Sequence, residues 1–251
     1  MLIRITIAVL TGMLAMAQAS AQNPAVIVVT SPGAEAYEQM LAGIREKFPE
    51  VFVLDARNEE QLREQIGRQR PALAVAVGAD ASLALERAAS GKLPLLSSGV
   101  FECDMEHSAG APSAFRSTVT VDLPAAVLMS ELRRLFPGKS RIGLIQGPMQ
   151  NDAYGKAFAL AARQAGLTAE VVRCDDPRDL LEVFLKLKPR ADLVWCPANP
   201  RLYNSATLKP LLMASITNRL PIIGFSEQFV QAGALFGGSA DFVDVGRQTA
   251  E

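Results

Sequence analysis

Apolar residues along this chain alternate between two patterns: short unbroken runs, and longer stretches where they recur every three or four positions. Ala25 to Val29 is such a run, the mark of a parallel strand covered on both faces. Tyr37, Leu41, Ile44 and Phe48 then fall at i, i+4, i+7 and i+11, which predicts an amphipathic helix. The alternation continues with a strand over Val51–Asp55, a helix through Leu62 and Ile66 capped by Asn58, and a strand over Leu73–Gly78. A helix from Asp80 to about Ala89 and a strand over Pro94–Ser98 complete the first half. Such a right-handed series wraps into an open sheet with helices on both sides.

Residues 100–121 break the rhythm with Gly, Pro and Ser, ending in the β-branched run Ser117–Val121, and predict a crossing between two domains. A second set follows: helix 123–136, strand 141–146, helix 151–165, strand 168–173, helix 177–187, strand 192–196, helix 203–219 and a strand over Pro221–Phe225. Pro210 is expected to kink the helix holding it or to sit in its first turns. After a turn, Gly233–Gly237 reads as a second apolar strand, and a helix opens at Ser239 or Asp241, with Phe242, Val245 and Thr249 near one face. The fold class is therefore α/β, with two doubly wound, Rossmann-like lobes: residues 22–118, residues 119–225, and a return segment over 226–251.

Composition narrows the classes of function. The chain has 251 residues, enough for two small cores, and a net charge of −1, so no electrostatic grip on nucleic acid is expected. Residues 1–21 carry one cation, Arg4, an apolar run from Ile5 to Met16 and the small-residue end Ala19–Ala21, the pattern of a cleaved secretory signal. The mature chain is expected to be periplasmic. Cys103, Cys174 and Cys196 are expected to be free buried thiols, because the strands before Cys174 and Cys196 would flank a third one, about 9–10 Å apart. No CxxC or HExxH occurs and His107 is the single histidine, so neither a metal site nor a cofactor is expected.

The C-terminal stretch resembles the return segment of the substrate-binding proteins of ABC transporters that have the type I periplasmic fold, the family that includes tryptophan-binding members. The matching residues are Pro221, Ile222, Ile223, Gly224, Val230, Gly233, Ala234, Asp241, Phe242, Val245, Gly246, Arg247 and Gln248, with a looser likeness from Ala25 onward. The resemblance implies a small-molecule ligand, such as an amino acid, held between two lobes and passed to an inner-membrane ABC permease, or sensed with a sensor kinase or chemoreceptor. It also implies further helix and a closing strand beyond Glu251, so by this pattern the chain reads as truncated.

Ligands of doubly wound sheets lie outside the carboxyl ends of the strands. On the first lobe those loops supply Ser31, Gly78, Asp80 and Ser98; on the second they supply Gly147, Asn151, Tyr154, Asn199, Phe225 and Ser226. Asp80, Asn151 and Ser31 also read as helix N-caps, and Trp195 as core. By the resemblance, Ser31, Ser98, Asn151 and Asn199 stand where the family holds an amino acid. The chain departs from the pattern with Pro197-Ala198-Asn199, where a strand-end Asp is common; an Asn there offers a dipole in place of a charge. No Arg lies on these loops to clamp a carboxylate.

An exported enzyme is the competing class, but GxSxG and GxxxxGK[ST] are both absent, and His107 sits in the Gly- and Ser-rich crossing. A transcription regulator on the same two-lobe plan would need a helix-turn-helix where the export signal stands.

Overall fold

A computed structural model describes residues 26–89, 93–103 and 116–251. The secretory signal expected over residues 1–21, and His107, lie outside the described residues.

Two separate parallel sheets of five strands carry the fold. The first contains β1 (Val26–Thr30), β2 (Phe52–Asp55), β3 (Leu73–Val77), β4 (Leu95–Val100) and β5 (Arg116–Thr120), in the order β2-β1-β3-β4-β5. The second contains β6 (Arg141–Gln146), β7 (Thr168–Arg173), β8 (Leu193–Trp195), β9 (Ile222–Gly224) and β10 (Phe236–Gly237), in the order β10-β9-β8-β6-β7. Taken in chain order, the two arrangements are the same. The β-branched run expected as a crossing is instead strand β5, paired with β4 from Leu95↔Arg116 onward. Valine and threonine fit an extended ladder, which is what the run forms.

Helices α1 (Glu35–Lys47), α2 (Glu59–Gln69) and α3 (Ala79–Ala88) cover the first sheet. Met40, Leu41 and Ile44 of α1 meet Val28, Val75 and Val77 on one face, while Leu62, Ala81, Ala84 and Leu85 of α2 and α3 meet Ile27, Val29 and Ala74 on the other. In the second sheet, α4 (Ala125–Leu135) and α5 (Asp152–Gln164) pack Met129 and Phe158 on one face. On the opposite face, α6 (Leu180–Leu187) and α7 (Ser205–Asn218) pack Phe184 and Leu211. Asn204 caps α7 in a reciprocal box with Thr207, and Pro210 is tolerated inside it.

The return segment differs from its reading in two ways. Residues 227–231 form a short helix, α8, and the strand expected over Gly233–Gly237 is only Phe236–Gly237, still paired with β9. The chain leaves the second sheet after Gly237, and α9 (Phe242–Thr249), capped by Asp241, then lies on α1 of the first lobe.

Two glycines make that docking possible. A Cβ at Gly43 would run into Val243 O and a Cβ at Gly246 into Met40 O, so the α1 and α9 backbones touch where they cross. Arg247 locks the edge of the crossing, its Nε and Nη2 donating to Glu46 at 2.8 and 2.9 Å. Arg247 also pairs with Asp244.

The three cysteines are buried and form no disulfide. Strand β6 separates β7 from β8, which keeps Cys174 and Cys196 apart as expected.

Replacing Gly246 with Ala should lower unfolding stability by about 1–3 kcal/mol, the usual cost of overpacking a closed contact. The urea midpoint measures it; an unchanged midpoint would mean that the helices are not in backbone contact.

Candidate functional site

The two sheets meet through one short piece of the first lobe. Past β4, residues 101–103 touch three separate loops of the second lobe. Phe101 stands edge-on to Phe225, ring centroids 6.0 Å apart. The Glu102 carboxylate accepts from the Asn151 side chain. The Cys103 thiol donates to Ala198 O at 3.5 Å. Burial, and then the nearby Asp122 carboxylate, push the Glu102 pKa up, while the bond from Asn151 opposes the rise. Glu102 N donates to Asp122 Oδ2 at 2.6 Å, which fixes the segment to the stretch that follows β5 and leads to α4.

Beside this contact lies a cavity of about 1070 Å³ walled by both lobes. The first lobe contributes the start of α1 with Glu35 and Gln39, and Phe101; the second contributes Phe225, Ser226 and the start of α8. Val121 and Ser239–Val243, which belong to the two crossings, close the remaining side. The site is therefore bounded by both lobes and by the chain segments that join them.

Of the residues singled out from sequence, Phe225 and Ser226 line this cavity. Ser226 also caps α8, accepting from Phe229 N.

Four of the others are buried and do not line this cavity. Ser98 is fully buried, and its hydroxyl is 2.5 Å from Thr249 Oγ1 of α9, so it ties the return helix to β4. Asn199 is 1% exposed; its Nδ2 donates to Pro148 O at 2.8 Å and its Oδ1 accepts from Leu202 N. Gly147 is buried beneath Asn199 and gives its N–H to Gln150 Oε1 at 2.7 Å. Gly78 caps α3 with φ +93°, and the Tyr37 ring fills the space a Cβ would take. Between β6 and β8, where strand order reverses in the second lobe, the Asn199 side chain thus covers Gly147.

Ser31 and Asp80 line a separate depression of about 350 Å³ that also holds Arg57 and Arg87 and no residue of the second lobe. Asn151 caps α5, accepting from Tyr154 N at 3.0 Å, and reaches the first lobe through Glu102. Tyr154 accepts from Trp195 Nε1 at 3.1 Å, and burial pushes its phenol pKa up. Trp195 is core, 2% exposed.

Sequence reasoning missed Glu35, Gln39 and Phe101. The acidic first turn of α1 was the available signal, since Ala34 makes no side-chain cap there. Among the described residues, no group of three or more His, Cys, Asp and Glu side chains is placed to hold a metal ion.

No family model and no curated protein matches the sequence. Solved structures do match across most of the chain. The ligand-free, open structure of a substrate binding protein with adhesive properties from Clostridium difficile aligns at TM-score 0.62 and 14% identity, covering 90% of this chain and 82% of that one. A domain in complex with L-Trp from Streptococcus pneumonia aligns at 0.56 and 16%, covering 91% and 82%. A periplasmic ribose ABC transporter structure from Conexibacter woesei aligns at 0.53 and 11%, covering 92% and 85%. At these identities the likeness establishes architecture: the chain has the two-lobed type I periplasmic binding fold.

Glu102→Gln should stabilise the lobe contact near neutral pH, because it removes a half-buried charge facing Asp122 and keeps an acceptor for Asn151. The Glu102 pKa is raised on folding, so the wild-type penalty is absent below the unfolded value of about 4.5 and grows as pH rises through the folded value. The gain in melting temperature should therefore vanish at acid pH. A gain that is the same at pH 4 and pH 8 would refute this account.

Proposed function

We propose that this protein is a periplasmic solute receptor that captures a small molecule between its lobes and delivers it to an ABC permease. The observation that carries the reading is the cavity walled by α1, α8, Phe101 and Phe225 from opposite lobes and closed by the two crossings. A site built this way changes shape when the lobes rotate about the crossings, so ligand binding and closure are one event. The likeness to an L-Trp complex and to a ribose transporter structure supports a small organic ligand. The likeness to a structure bearing an ABC transporter name supports the permease as partner. No helix among the described residues is long and apolar enough to cross a membrane.

The cavity's polar lining consists of carboxylates, amides and hydroxyls, groups that orient a guest by charge and hydrogen bonds.

A thermal-shift screen of the purified chain against amino acids, polyamines, quaternary ammonium compounds, nucleosides, purines and sugars tests the reading. A true ligand at one hundred times its Kd should stabilise the chain by about 2.7 kcal/mol, seen as a concentration-dependent rise in melting temperature. Phe225→Ala should abolish most of that rise, measured against the variant's own ligand-free melting temperature, which falls because Phe225 also packs on Phe101 and Phe229. A screen with no hit, or turnover of a hit, would overturn the receptor reading.

A further inference from the structure

The charge on the cavity wall is one-sided. Glu35, Glu227 and Asp241 line it, and no lysine, arginine or histidine does. Ion pairs elsewhere on the surface engage many acidic side chains, yet none among the described residues involves these three. Two of them are presented alike from opposite lobes. Glu35 accepts from Gln39 Nε2 at 3.3 Å one turn along α1, and Glu227 accepts from Gln231 Nε2 at 3.1 Å one turn along α8. Each carboxylate is held by a neutral amide. Asp241 Oδ1 accepts from the backbone N–H groups of Val243 and Asp244.

An opposing field comes from the helix starts. Helices α1 and α9 both begin at the cavity, and each N-terminus carries the equivalent of about +0.5 charge. Together they offer about +1 against three formal negative charges, so the balance stays near −2. Adding a further half charge for the five residues of α8 would not reverse the sign. Phe101, Phe225 and Phe242 supply the apolar part of the wall, and aromatic faces attract cations as well as covering hydrocarbon.

We infer that the ligand of this cavity is an organic ammonium ion, an amine or quaternary ammonium compound bearing apolar surface, held by Glu35 and Glu227 from the two lobes and packed on the phenylalanines. The inference rests on the receptor reading and names its substrate class. Closure would bring the two carboxylates toward one positive charge, so the ligand supplies the counter-ion that the protein lacks there. An anion would meet like charge on both walls, and a neutral polyol would leave both carboxylates without a cationic partner.

Isothermal titration of the purified chain at low ionic strength, with choline and spermidine as cationic probes, glucose as a neutral one and L-glutamate as an anionic one, tests it. A cationic probe should bind, weaken as salt rises, and lose at least tenfold in affinity in Glu35→Gln and in Glu227→Gln. Both side chains are exposed, so the ligand-free melting temperature of the variants should match wild type. Binding of glucose or L-glutamate in preference to the cations, or cation binding untouched by both substitutions, overturns the inference and leaves the receptor reading standing. If no probe binds and the broader screen also yields none, both fall.

Discussion

The close crossing of α1 and α9 is the contact on which the rest of the architecture depends. Gly43 and Gly246 let two backbones meet without side chains between them, and the Arg247–Glu46 pair holds the edge. Because α9 follows the second lobe in sequence but packs on the first, the second lobe is held at both of its ends. The same crossing sets where the N-termini of α1 and α9 lie, and both border the interlobe cavity. Helix packing at one point thereby fixes the geometry of the groove and of the two chain segments through which the lobes would swing.

Residues 101–103 act against that freedom. An edge-on aromatic pair, a carboxylate on Asn151 at the start of α5 and a thiol on a carbonyl join the lobes with small individual energies. Burial and the Asp122 carboxylate push the Glu102 pKa up, so the ionised carboxylate is held there at some electrostatic cost that the bond from Asn151 offsets in part.

Much of the architecture was legible in the pattern of apolar residues. The strands over 141–146 and 168–173 begin and end where the sequence predicts them; the first is buried from Ile142 to Gln146, and the second is a half-exposed edge strand whose Val171 and Val172 mark it as extended. Helix α8 and the two-residue β10 were not legible, since neither is long enough to display a period. The site was less legible than the fold. Ser98 and Asn199 are polar residues in or just past strands, where ligand contacts are expected, but their partners arrive from far along the chain: Thr249 lies 151 positions from Ser98 and Pro148 51 from Asn199. Glu35 and Asp241 were hidden for the opposite reason. Acids in a first turn or at an N-cap have an ordinary local role, and only the arrangement of two lobes shows that they share a wall.

The placement of α9 has a bearing on how the chain acquires its shape. Glu46 and its partner Arg247 are 201 positions apart, and between them the whole second sheet must be made. Until then Val245 is missing from the cluster around Met40 and Ile44, and the strip of α1 it covers stays exposed while the chain folds. The lobe that is begun first is finished late.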